Sequence, residues 1–368
     1  MKNFINLYKP NINNDDIKSV NRTLNNSYLS GATKIVNEFE IKFSEKYKFP
    51  FSLSTNSGTS ALHLALLSLG VQKGDEVIIP SLSFISTANA VSYVGAKPVI
   101  VDVDIDTYQI SLNQIERNIT NKTKVIMPVH LYGNAPNLED IQNIANKFKL
   151  KVINDSAEAL GTKFKNKQSG LYGDVSIYSF YPNKLITTGE GGMLVTKSKK
   201  VFELAKRYRD QGLVKESNEY IHDIVGYNYR MNSLSAALGI SQLKKVDNLL
   251  NRKIRINKKY KNEFGDYKVS FIKTEKDIFN SQWLTVINFK DYEINVNDLR
   301  EYLFSNGIET KKIFYPLDKQ KMYSKNKNAC NNAYKIYNSS LCLPSHPDLK
   351  FKEIEYICGK IKKYLNYL

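Results

Sequence analysis

The sequence predicts an α/β fold: a large, mostly parallel sheet covered by helices on both faces, followed by a smaller C-terminal α+β domain. Three observations point to it. Between residues 50 and about 200, short runs rich in β-branched residues alternate with helical patterns, the rhythm of βαβ units. Those runs are continuously apolar, as strands buried on both faces are. After about residue 240 the rhythm gives way to a long helix and a mixture of short strands and helices. A chain of 368 residues is long enough for two domains. The expected division is 1–245 for the larger, which includes an N-terminal arm, and 246–368 for the smaller.

The elements follow in order. Phe51–Ser54 reads as a strand. Gly58–Leu69 reads as a helix, apolar on nearly every side and therefore buried, and Gly70 stops it. Glu76–Ile79 and Val99–Val101 are strands either side of a helix over Ser86–Tyr93. Lys124–Val129 and Lys151–Asn154 are strands separated by a helix over Leu138–Phe148. Val175–Ser179 and Gly192–Thr196 are further strands. Next comes a long helix over Ser233–Phe264, polar and basic along one side. Strands at Val269–Ile272 and Trp283–Phe289 and helices at Val296–Asn306 and Phe351–Tyr367 complete the chain.

Composition narrows the class. Hydrophobic residues make up 42% and charged residues 24%, ordinary for a globular protein. No apolar stretch approaches the length that crosses a bilayer, and Met1-Lys2-Asn3-Phe4 lacks the apolar core of a signal peptide. A cytoplasmic enzyme with no membrane partner is expected. The formal charge is +17, yet no unbroken basic block occurs, so nucleic acid is not an expected partner. The densest basic stretch, Arg252 to Lys261, reads as the solvated side of a helix. Cys330, Cys342 and Cys358 are odd in number and widely spaced. They form neither a disulfide framework nor a metal pattern, and no metal is expected.

Four segments carry candidate chemistry. Three of them put polar residues at the C-terminal ends of predicted strands, the edge where open α/β sheets bind ligands. Thr55-Asn56-Ser57-Gly58-Thr59-Ser60 opens the buried helix, so its free N–H groups and dipole suit a phosphate. A plain capped strand–helix turn explains it too. Asp155, in Asn154-Asp155-Ser156-Ala157-Glu158, ends an apolar strand and needs a partner there. A pyridine nitrogen would serve, as would a helix N-terminus. Ser179-Phe180-Tyr181-Pro182-Asn183-Lys184 leads into Thr187-Thr188-Gly189-Glu190-Gly191-Gly192, a turn with one lysine beside a hydroxyl. It suits a Schiff-base amine, and equally a solvated loop lysine. Gly226-Tyr227-Asn228-Tyr229-Arg230-Met231 is a polar, aromatic loop before the long helix.

Taken together and in this order, these segments resemble the DegT/DnrJ/StrS family of sugar-nucleotide aminotransferases, fold-type I enzymes dependent on pyridoxal 5'-phosphate. The resemblance runs from Tyr28-Leu29-Ser30-Gly31 to Leu343-Pro344-Ser345-His346-Pro347. It implies that the domain over 1–245 binds the cofactor and that Lys184 carries it as a Schiff base and moves the proton. It pairs Asp155 with the pyridinium nitrogen. It gives the phosphate to Ser57, Gly58, Thr59 and Ser179, with Asn228 supplied by a second subunit of a homodimer. Phe84 is the residue implied to stack on the ring, and Glu158 lies near the ring hydroxyl.

The implied reaction moves an amino group from an amino acid, usually L-glutamate, to a keto group of a nucleotide-linked sugar. The stretch after Lys184 looks like the perosamine synthase-like, C4 type, which acts on 4-keto-6-deoxy sugars. The rival C3 enzymes tend to differ there. Related dehydratases carry His in place of Lys184, and a regulator on the same fold would be expected to lose Lys184 or Asp155. Two departures fall near the expected substrate mouth: Asp318 where the family often has His, and Ser235 where many members have Gln.

Overall fold

The computed structural model describes residues 4–214, 219–325 and 328–366. In chain order the strands are β1 (Phe51–Thr55), β2 (Glu76–Pro80), β3 (Lys97–Val101), β4 (Thr123–Ile126), β5 (Lys151–Asp155), β6 (Lys163–Phe164) and β7 (Lys167–Gln168). There follow β8 (Val175–Ser179), β9 (Gly192–Thr196), β10 (Ser270–Phe271), β11 (Ile278–Phe279), β12 (Thr285–Asn288), β13 (Lys311–Lys312) and β14 (Ser340–Leu343).

Seven of them form the main sheet, in the order β1-β9-β8-β5-β4-β2-β3. The neighbours from β8 to β3 pair in parallel. β9 runs antiparallel to both β8 and β1, so β1 points the same way as the parallel set. The ends of β1 and β8 therefore meet at one edge, where Thr55 and Ser179 both pair with Gly192. A Cβ at Gly192 would stand 2.5 Å from the Ser57 carbonyl oxygen, so only glycine lets these chains converge.

The helix Gly58–Ser68 is buried at Ala61, Leu62, His63, Leu64, Ala65 and Leu66, as its all-round apolar sequence predicts. β4 stops at Ile126, short of the predicted Val129. Pro128 has no N–H to give the ladder, although its carbonyl still accepts from Asp155 N at 2.9 Å. Two N-terminal helices, Asn14–Asn25 and Lys34–Tyr47, pack against the long helix Ser233–Glu263. Asp16 is buried there, within 2.6 Å of Lys245 Nζ and 3.0 Å of Gln242 Nε2.

The C-terminal part has an antiparallel sheet, β10-β12-β14-β13. Its core joins Ile256, Tyr260, Ile287, Leu299, Ile354 and Ile361. Ile5 enters the same core and bridges Ile308, so the N-terminal arm is fastened to the C-terminal half. The helix Ser233–Glu263 runs unbroken through residues 245 and 246. Within its basic stretch, Lys253 is buried rather than solvated, at 4% exposure. The three cysteines are buried and unpaired. Among the described residues no helix is long and apolar enough to cross a membrane, and no group of His, Cys, Asp and Glu is placed to hold a metal.

Candidate active site

The turn after β8 is tied on several sides. Lys184 N donates to Tyr181 O at 2.9 Å, Thr188 N to Phe180 O at 3.0 Å, and Phe180 N to Gly191 O at 2.9 Å. From across the chain, Trp283 Nε1 donates to Asn183 O at 2.7 Å. The Lys184 side chain, 13% exposed, is thereby aimed inward. Its Nζ lies 3.4 Å from Glu158 Oε1 and 3.9 Å from the centre of the Trp283 ring. The second Glu158 oxygen accepts from Tyr132 N at 2.9 Å. Burial drives the Glu158 carboxyl up to about 7, against the pull of Lys184 and that N–H.

Asp155 is buried at the end of β5. One oxygen accepts from Thr87 Oγ1 at 2.7 Å and the other from Ala157 N at 3.2 Å. Burial raises its pKa, while Thr87, Ala157 N–H and the Lys184 charge oppose the rise. A carboxyl so placed ionises readily only opposite a cation. Behind it His130, wholly buried, is pushed down to about 3 by burial, so its ring is neutral.

Ser57 caps the helix Gly58–Ser68, its Oγ accepting from Ser60 N at 3.1 Å. The first turn of any helix leaves N–H groups without intrahelical acceptors. A Cβ on Gly58 would come 3.1 Å from the Ser179 Cβ, so the missing side chain brings helix end and strand end together. Thr59 Oγ1 donates to Ser86 Oγ at 2.8 Å.

Every predicted site residue except Asn228 lines one cavity of about 680 Å³. Asn228 stands outside its walls, bridged to Asp210 and accepting at its carbonyl from Asn56 Nδ2 at 3.4 Å. Phe84 is at the rim, 56% exposed and 5.9 Å from Phe314. The sequence did not reveal the aromatic wall. Tyr132 lies nearly parallel to both Trp283 and Phe314, at 5.8 and 5.7 Å. Thr87, the partner of Asp155, was missed too, although it is the second residue of a predicted helix. Asp318, the departure from the family pattern, is buried and accepts from Ser81 Oγ at 2.5 Å. Ser235 caps nothing; its N–H donates to Asn232 Oδ1 at 2.9 Å.

These residues fit a phosphorylated pyridine aldehyde. Lys184 would offer its amine to the aldehyde, buried Asp155 would face the ring cation, and the first turn of the helix at Gly58 would offer its N–H groups to the phosphate. Comparison with known proteins indicates the same cofactor. The family described as DegT/DnrJ/EryC1/StrS aminotransferases matches residues 10–362. GDP-perosamine synthase of Escherichia coli O157:H7 is 40% identical, covering 98% of each chain. The GDP-perosamine synthase of Vibrio cholerae is 35% identical over 98% of this chain and 99% of its own. Among solved structures, Helicobacter pylori PseC, an aminotransferase involved in pseudaminic acid biosynthesis, superposes with a TM-score of 0.93. It is 28% identical and covers 99% of this chain and 100% of its own. Spr1654 of Streptococcus pneumoniae in its PMP-form gives 0.94 at 27% identity, covering 99% and 98%. The chain belongs to the DegT/DnrJ/EryC1/StrS aminotransferase family, with pyridoxal phosphate as cofactor and nucleotide-linked sugars as its class of substrate.

Proposed function

We propose that the protein moves an amino group from L-glutamate to C4 of a GDP-linked 4-keto-6-deoxy sugar, with Lys184 as the amine that holds the cofactor. One observation carries the residue assignment. Lys184, buried Asp155 and the N-terminus of the helix Gly58–Ser68 converge on a single cavity. The choice of GDP and C4 is supported by the GDP-perosamine synthases at 40% and 35% identity.

When bound, pyridoxal phosphate supplies an aldehyde and an electron-accepting ring. Asp155 holds a proton on the ring nitrogen, and Thr87 and the Ala157 N–H fix its carboxylate. Ser57, Gly58, Thr59 and Ser179 bind the phosphate. Lys184 Nζ moves the proton between substrate and cofactor carbons, and Glu158, beside that amine, holds or yields a proton near neutral pH. Phe84 and Phe314 cover the mouth and exclude water. Asn228 serves the site of a second copy, which makes the working unit a homodimer. Residues 1–245 act as the cofactor domain and 246–368 as the smaller domain that closes beside it.

The test is a panel of GDP-, UDP- and dTDP-linked 4-keto and 3-keto sugars incubated with protein, pyridoxal phosphate and glutamate. Mass spectrometry should find the amine on the GDP-linked 4-keto sugar. If no sugar nucleotide on the panel gains an amine, the proposal is wrong.

A further inference from the structure

We propose that Ser83 is a positioning residue for the cofactor: through Thr87 it directs a relay of two hydroxyl protons at Asp155 and keeps that carboxylate charged for the ring nitrogen. The inference rests on the assignment of Asp155 made above and adds to it the residues that maintain the charge.

Distance and burial come first. Ser83 Oγ and Thr87 Oγ1 are 2.6 Å apart, and Thr87 Oγ1 lies 2.7 Å from Asp155 Oδ2. Ser83, Thr87 and Asp155 are 2%, 0% and 5% exposed. In so dry a place a hydroxyl bond is electrostatically stronger than in water. Ser83 also borders the catalytic cavity, so the relay begins at the cavity wall and ends on the carboxylate.

Proton counting sets the direction. An ionised carboxylate only accepts, and a hydroxyl has one proton to give. Thr87 spends its proton on Asp155, so at the other contact Thr87 accepts and Ser83 donates. Both protons then point toward the carboxylate, and each bond polarises the next. A protonated Asp155 carries a proton of its own to give Thr87, and the order of the relay is then free to reverse. The inward order is therefore tied to charge on Asp155. Burial pushes that carboxyl upward, and Thr87 is foremost among the groups that oppose the rise.

The two hydroxyls are not spent elsewhere. A serine just ahead of a helix ordinarily caps it. The helix Ser86–Tyr93 has Ile85 at its N-cap and no side-chain cap. Among the described residues the Ser83 hydroxyl has no partner but Thr87.

The full chain, stripped of cofactor, is titrated with two ligands: pyridoxal phosphate, and its carbocyclic analogue in which a C–H replaces the ring nitrogen. Thr87→Val should weaken pyridoxal phosphate about tenfold and Ser83→Ala about threefold, while the analogue stays within about twofold in both. Unchanged affinity for the analogue also shows that each variant folds. Thr87→Ser should restore pyridoxal phosphate binding. On an Asp155→Asn background Ser83→Ala should change neither affinity, because no charge is left for it to serve. Ser83→Ala protein that binds pyridoxal phosphate as tightly as the wild type, or variants that lose both ligands equally, would overturn the relay and leave Asp155 in place. If Asp155→Asn binds the two ligands in the wild-type ratio, the assignment of Asp155 is itself wrong and the relay falls with it.

Discussion

The amine of Lys184 sits between the Glu158 carboxyl at 3.4 Å and the face of Trp283 at 3.9 Å. Glu158 is the side that changes with pH. Burial raises it to about 7, so it is a neutral acid below that pH and a carboxylate above it. The rate at which cofactor-free protein takes up pyridoxal phosphate should therefore bend near pH 7, and Glu158→Gln should remove the bend. A bend that survives the substitution belongs to another group. Trp283→Leu removes a contact with the amine that is typically about 0.5–2 kcal/mol. It also removes the bond to Asn183 O, so kcat/KM should fall roughly tenfold or more, and Trp283→Phe should recover part of it. Asp155 was legible because it ends an apolar strand, where a carboxylate needs a partner, whereas Lys184, a loop lysine in a lysine-rich chain, was legible only together with Asp155, the Ser57-Gly58-Thr59 helix start and Asn228. Trp283 and Thr87 were not, since their partners lie 100 and 68 residues away and no spacing in the sequence links them.

Elements carry the phosphate end of the site. In the proposed site the helix Gly58–Ser68 binds the phosphate, and a Cβ on its first residue would crowd the Ser179 Cβ at 3.1 Å. Gly58→Val should raise the dissociation constant for pyridoxal phosphate at least about tenfold, measured by fluorescence titration. Ser57→Ala loses the cap to Ser60 N and should cost about 1 kcal/mol of stability in urea unfolding. The main-sheet strands and long apolar helices were readable from periodicity alone. The helix Asn331–Ser339 was not, because its N-terminus is capped from outside, by Asp102, which accepts from Asn332 N and Ala333 N at 2.9 and 3.0 Å. The N-terminal helices were likewise missed. The first carries a local signal, the capping box between Asn13 and Asp16, while Asp16 Oδ2 also accepts from Lys245 and Gln242, more than 220 residues onward, contacts that leave no local signature.

For the molecule as a whole, Lys253 connects the long helix to the loop after β14. Its ammonium donates to Ser345 O at 2.7 Å, and burial lowers its pKa from 10.5 to about 7. A base whose folded pKa is depressed costs stability as pH falls. The cost begins below the unfolded value of 10.5 and is complete below about 7. At pH 6 it is at most about 5 kcal/mol, reduced by local relaxation and by about 1 kcal/mol for the hydrogen bond. Lys253→Met should therefore raise the urea midpoint clearly at pH 6 and much less at pH 9.5. Equal gains at both pH values would show that the lysine is not buried in its charged form. The fold is consistent with a single functional unit, since Ile5 of the N-terminal arm packs in the C-terminal core and Trp283, far along the chain, closes over Lys184.

The most direct test of the central assignment is reduction of the cofactor-loaded protein with borohydride, followed by peptide mass mapping. The pyridoxyl mass should appear on the peptide containing Lys184 and vanish in Lys184→Ala, which should also lose turnover. A pyridoxyl group on another lysine, or none on any, would contradict the account.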